Sequence, residues 1–134
     1  MERAGRRNYR FLAPLILLIM CGCITILLTG CASTMVTNGL TAMQGKHIQV
    51  AFDVLGYPDS KIEVGEETVY LWNHSGQGFF YSNGYTVPYT QSAKIKIVAD
   101  KNGYIKTWSW DGNEDGLDFY ADSLNEYAKE QEKE

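Results

Sequence analysis

Few side chains in this sequence could do chemistry, and they are unevenly placed. The three cysteines, Cys21, Cys23 and Cys31, fall within the first 31 residues, and the only histidines are His47 and His74. A thiol can act as a nucleophile or a soft metal ligand. Neither histidine has a second ligand at the short spacing a zinc site requires, so His47 reads as a helix residue and His74 as a loop residue. One acidic turn has oxygen-ligand spacing. Asp111-Gly112-Asn113-Glu114-Asp115-Gly116 places oxygen donors at positions 1, 3 and 5 and Gly at 6, and Asp122 falls at position 12. That is the pattern Ca²⁺ needs, although the incoming element reads as a strand, position 8 is Asp118, and Asp reaches less far than Glu at position 12. The same residue types also make ordinary polar turns and helix caps. Asp53, Asp59, Glu63, Glu66 and Glu67 could supply the paired carboxylates of a glycan-acting envelope hydrolase, but nothing in their spacing fixes a geometry. There is no Gly-x-Ser-x-Gly elbow, and Ser75-Gly76-Gln77-Gly78 lacks the Lys and following helix of a phosphate loop. The expectation is therefore a non-enzyme with no dissociable cofactor. Ca²⁺ bound through Asp111, Asn113, Asp115 and Asp122 stands as an alternative.

Cys31 is distinguished by what precedes it. Met1–Arg10 carries four arginines and one acid, and Phe11–Thr29 runs 19 residues without a charge. A basic segment followed by an apolar one is the layout of an export signal. The run ends in Leu28-Thr29-Gly30-Cys31, which resembles the bacterial lipobox, an aliphatic residue at −3 and small residues at −2 and −1 before Cys. The resemblance implies that residues 1–30 are a cleaved lipoprotein signal peptide. It also implies that Cys31 takes a diacylglyceryl group and becomes the acylated first residue, with fatty chains such as palmitate. More than one acyl chain anchors a protein stably, where a single chain is reversible. Cys23 is a poorer lipidation candidate, with Met20 and Cys21 at −3 and −2. Nineteen apolar residues are also just long enough for an uncleaved span. Ala32 after the Cys looks like release to the outer membrane, where Asp looks like inner-membrane retention. The expected location is the cell envelope, anchored at the outer membrane and facing the periplasm.

Division at Cys31 changes the arithmetic of the chain. The whole sequence has 12 Lys and Arg, 16 Asp and Glu and a net charge of −4. Residues 31–134 hold no Arg and eight Lys against fifteen acids, a net −7. An acidic, Arg-free body is a poor nucleic-acid binder, because it lacks the planar forks that grip phosphate. With at most one cysteine it cannot carry a disulfide framework. No small-molecule substrate is evident.

The elements that must position these residues follow from periodicity. Residues 31–39 read as a tether, whose small, polar and unperiodic part, Ala32–Gly39, spans at most about 28 Å. Residues 40–134 read as a single domain. Leu40–Leu55 has helical spacing, weakened at Gly45 and ended by Gly56 and Pro58. Glu67–Asn73 is a β run. In Phe79–Val87, Asn83-Gly84 stands between two aromatic runs as a hairpin signal, and Pro88 restricts its strand to an edge. Lys94–Ala99 and Tyr104–Trp110 form a second hairpin about the Asp100–Gly103 turn. Asp111–Gly116 reads as a loop, and Leu117–Glu132 as a helix capped by Asp115 or Asp118. The order predicts an α+β fold, an antiparallel sheet of three to four strands with an N-terminal and a C-terminal helix packed on it.

From Gly45 to Asn113 this pattern resembles small bacterial envelope lipoproteins. A helix ends in Leu55-Gly56-Tyr57-Pro58, a variable turn follows, and then comes Val69-Tyr70-Leu71-Trp72. One such group is the SmpA/OmlA-like domain, found in the smallest lipoprotein of the outer-membrane β-barrel assembly machine, which places both helices before the sheet. A looser group shares the helix and a later Asp-x-x-Gly-x-Ile-x-x-Trp hairpin, here Asp100, Gly103, Ile105 and Trp108. The terminal helix at Leu117–Glu132 departs from the SmpA/OmlA order, and the function of the second group is unknown.

Residues 31–134 also hold fifteen aromatics, more than one small core needs. Five of them, Phe79, Phe80, Tyr81, Tyr85 and Tyr89, lie in one Gly-, Ser- and Asn-rich stretch suited to adaptable recognition. The expected function is a protein-interaction or accessory module, held to the membrane by Cys31 and contacting an envelope protein through these five residues. An inhibitor or exclusion lipoprotein would use the same surface.

Overall fold

The computed structural model describes residues 31–133. Residues 1–30, on which the expected signal peptide, Cys21 and Cys23 fall, lie outside the described residues. The element order is α1 (Ala32–Met43), α2 (Gln49–Leu55), β1 (Ser60–Val64), β2 (Glu67–Ser82), β3 (Tyr85–Ala99), β4 (Ile105–Gly112) and α3 (Glu114–Gln131). The four strands form one antiparallel sheet in the order β1-β2-β3-β4. The fold is α+β, as the element order predicts.

Residues 31–39 are not a tether. α1 begins at Ala32, and Val36, Gly39, Leu40 and Met43 are buried on one stripe. The segment is helical because that stripe packs on α3. Gly39 lies against Leu124, where a Cβ would stand 2.5 Å from the Leu124 Cβ and 2.7 Å from its carbonyl oxygen. The compact unit accordingly starts at Cys31 and not at Leu40.

The helix expected over Leu40–Leu55 is two helices. Gly45 adopts φ +80°, a left-handed conformation that ends α1. The chain then pairs briefly with the start of β4. Gly45 N donates to Ile105 O at 2.9 Å, Ile105 N to Lys46 O at 2.8 Å, and Ile48 N to Gly103 O at 2.8 Å.

The core lies on one face of the sheet. The register aligns Tyr70 with Ile97 and Trp72 with Ile95 on β2–β3, then Ile97 with Trp108 and Ile95 with Trp110 on β3–β4. Leu40 and Met43 of α1 and Leu117, Tyr120, Ala121 and Leu124 of α3 complete it. Trp72 is only 2% exposed, and its indole N–H donates to Gly56 O at 2.9 Å. Burial without loss of that hydrogen bond is what makes a core Trp favourable. A bulge at Val98/Ala99 shifts the register by one residue, which brings Ile105 onto the core face and leaves Tyr104 exposed.

The loop expected at Asp111–Gly116 is a single residue. β4 runs to Gly112 and α3 starts at Glu114. Asn113 alone joins them and is the N-cap, in place of Asp115 or Asp118. Its Oδ1 accepts from Gly116 N at 2.9 Å and from Ser92 N at 3.1 Å, and its Nδ2 donates to Thr90 O at 2.7 Å. One side chain thus caps α3 and extends the β3 ladder past the end of β4.

Candidate functional site

The most distinctive feature of the sheet is the length of its central hairpin. β1 pairs with β2 only as far as Ser60↔Leu71, and β4 pairs with β3 only as far as Ala93↔Gly112. β2 and β3 continue together to Ser82↔Tyr85. From Ser75 to Ser82 they form a two-stranded ribbon about 25 Å long. It closes on Asn83 at φ 50° and Gly84 at φ 83°, the two left-handed residues that a two-residue hairpin turn requires. The expected Asn-Gly turn is therefore present, and it sits at the tip of strands that run unbroken into the core. Thr68–Ala93 contains no Asp, Glu, Lys or Arg, while the body around it carries a net −7.

Side chains alternate between the two ribbon faces. Phe80, Val87 and Tyr89 share one face with the glycines. The Tyr89 ring covers Gly78, where a Cβ would meet its carbons at 2.4 Å, and Gln91 covers Gly76. Phe80 packs on Tyr89 with ring centroids 6.1 Å apart. Phe79 and Tyr81 occupy the other face. Phe79 is 64% exposed, Phe80 49%, Tyr81 79% and Tyr85 75%. Tyr89 differs from the other four in being half-buried, because its ring lies on the ribbon backbone. The five aromatics singled out by composition are thus brought onto one projecting arm, four of them fully presented.

Cys31 lies at the same end of the molecule as the ribbon root. It is exposed at the N-cap of α1, and its carbonyl accepts from Thr34 N at 2.9 Å and Met35 N at 3.1 Å. Ser33 N donates to Glu114 Oε2 at 3.3 Å, one residue from the Asn113 side chain that holds Thr90 and Ser92. Hydrogen bonds from the Cys31 thiol, the largest cause, and from Ser33 lower the Glu114 carboxyl pKa. A folded-state pKa below the unfolded value gives stability that is present above the unfolded pKa and lost as pH falls through the folded one.

The residues considered for other chemistry are not assembled. Asp111, Asp115 and Asp122 form no metal-holding group with other His, Cys, Asp or Glu side chains among the described residues. The Asn113 oxygen proposed as a ligand already accepts two N–H bonds. The Ca²⁺-like spacing arises from a strand end, an N-cap and the first turns of a helix. The melting temperature is expected to be the same in millimolar Ca²⁺ and in excess chelator, since a site that binds only the folded state would raise it. The five carboxylates considered for acid/base work each have a separate partner. Asp53 accepts from Gln49 at 3.0 Å and Asp59 from Asn73 N, while Glu63, Glu66 and Glu67 pair with Lys61, Lys101 and Lys106. His47 lies over Gly103 and meets Tyr104 edge-on, and His74 stacks on Phe119 at 4.0 Å. Among the described residues no helix is long and apolar enough to cross a membrane.

Sequence reasoning named Asn113 only as a candidate metal ligand and missed its capping role, as it missed the covered glycines. The signal for Asn113 was its position between an alternating strand and an amphipathic helix. For Gly76 and Gly78 it was the partners Gln91 and Tyr89, which only the register reveals. No family model, curated protein or solved structure matches this chain.

Proposed function

We propose that this chain is a lipid-anchored, periplasm-facing envelope lipoprotein, acylated at Cys31, that acts as an accessory module by contacting an envelope protein through its aromatic ribbon. The observation that carries this reading is the placement of an exposed, charge-free aromatic arm at the same end of the fold as Cys31. Large aromatics held in water on a β-ribbon contribute little to the core, and contiguous exposed apolar surface marks interaction sites. The root of their ribbon lies near the anchor, which favours partners within an arm's length of the membrane. Two helices before the sheet are what the resemblance to SmpA/OmlA-like lipoproteins implies, and α3 departs from that order.

The anchor is tested first. The wild-type protein is expected to fractionate with outer membranes and to carry the mass of its acyl chains, whereas Cys31→Ser retains neither property. An unacylated wild-type protein that still fractionates with membranes would refute the reading. The arm is tested by a photoreactive amino acid at Tyr81, which should capture one defined envelope protein. The same group at Asp122, on the exposed face of α3, should not.

A further inference from the structure

The two edges of the ribbon are not equivalent. Asp59 N donates to Leu71 O, and Asn73 N donates to the Asp59 carboxylate, so the odd-numbered residues of β2 direct their backbone groups away from β3. Continued along the strand, Ser75, Gln77, Phe79 and Tyr81 present four N–H and four C=O groups outward. No hydrogen-bond partner for these groups is found among the described residues. On the other edge the outward residues are Thr86, Pro88, Thr90 and Ser92. Pro88 has no N–H to give, and Asn113 occupies Thr90 O and both backbone groups of Ser92. Natural sheets blunt exposed edges with charge, Pro or a covering element. The β3 edge has two of these protections, and the β2 edge has none.

We propose that the open β2 edge, Ser75–Ser82, pairs antiparallel with the same edge of a second copy of this chain, about a two-fold axis at Gly78. The pairing concerns the edge and leaves both ribbon faces to the partner described above. Three observations favour a second copy. First, the open span is self-complementary. Centred on Gly78, the register sets Ser75 against Tyr81 and Gln77 against Phe79, so all four outward donors and acceptors of each copy are satisfied. In the same register Phe80 stands opposite Gly76 and Gly78 opposite itself, so each aromatic meets a small or polar residue. Second, the edge is neutral, and its midpoint lies about 15 Å beyond Asn73. Two bodies of net −7 therefore meet through a segment without charge, separated by more than the ~8 Å screening length. Third, each ribbon has one open edge and one blocked edge. An isologous contact between open edges closes at two copies and does not propagate into a fibre.

Sedimentation of the full-length protein in detergent tests this directly. The wild type is expected to be a dimer. Gln77→Pro removes an outward donor without touching the β2–β3 ladder, just as Pro88 does on the other strand. Because the change occurs twice at a two-fold contact, the dissociation constant should rise at least ~10-fold. Gln77→Lys, which places a charge opposite Phe79, should do the same with an unchanged circular dichroism spectrum and melting point. Thr86→Lys on the blocked edge should leave the dimer intact. A wild type that is monomeric up to its solubility limit would overturn the proposal. So would a dimer indifferent to both Gln77 variants, or an edge occupied by a different protein in place of the second copy. The measurement is independent of acylation and of capture of a different protein at Tyr81, so its failure leaves those tests standing, whereas capture of a second copy at Tyr81, opposite Ser75 in this register, supports the edge pairing.

Discussion

Gly39→Leu is expected to lower the unfolding free energy by about 3 kcal/mol, the upper part of the range for overpacked contacts. At this residue the backbone of α1 lies directly against Leu124 of α3. The three atoms nearest to an added Cβ are the Cβ, carbonyl oxygen and carbonyl carbon of Leu124, at 2.5, 2.7 and 2.9 Å. None of them can swing away, because two are backbone and the third is fixed to it. The helices must therefore separate, which withdraws Val36, Leu40 and Met43 from the core. For the same reason Leu124→Ala in the same chain cannot rescue the variant, since alanine retains all three atoms. Urea unfolding followed by tryptophan fluorescence reads the effect through Trp72, Trp108 and Trp110. A shift within about 0.5 kcal/mol of wild type, the range of ordinary surface changes, would mean that the helices do not meet at Gly39.

Asn113→Ala is the second large effect, expected to cost about 2–3 kcal/mol. Loss of an N-cap alone is worth about 1 kcal/mol. The remainder comes from Ser92 N and Thr90 O, which lose their partners where β3 leaves the sheet, at roughly 0.5–1.5 kcal/mol for each hydrogen bond. Asn113→Asp separates the two contributions. A carboxylate still accepts from Gly116 N and Ser92 N and suits the helix dipole, but it cannot donate to the Thr90 carbonyl. It should retain more than half of the lost stability. Amide exchange gives the local readout, with Ser92 losing protection in Asn113→Ala and keeping it in Asn113→Asp.

These two residues also show where the sequence was legible. The β3–β4 hairpin, the Asn83-Gly84 turn and α3 follow from alternation, left-handed turn residues and a helical stripe, all of which are local signals. α1 carries that signal only in its second half, where Leu40 and Met43 begin the helical spacing. The Ser, Thr, Asn and Gly residues before Leu40 disfavour a helix, and the close approach of Gly39 to Leu124 lets them pack as one. β1 is exposed along nearly its whole length and has no burial pattern to betray it. The ribbon shows only its hairpin tip in the sequence, because Gly76 and Gly78 weaken any strand read in isolation. In the fold, Gln91 and Tyr89 lie over them from the neighbouring strand. The aromatics of the candidate site were visible in composition, but their projection from the sheet was not, because it depends on where β1 and β4 stop. Asn113 fits the alternative Ca²⁺ pattern because a cap and a cation both require an oxygen at that position.

α1 starts one residue after Cys31 and packs along its length on α3. Under the proposed acylation, no flexible chain intervenes between the lipid and the first helical turn. The height of the ribbon root above the bilayer and the angle at which the arm leaves it are then properties of a rigid bracket and not of a leash. Such a protein samples a thin shell over the membrane instead of a hemisphere. A few Gly-Ser residues inserted between Cys31 and Ala32 would free its orientation without altering a single contact surface.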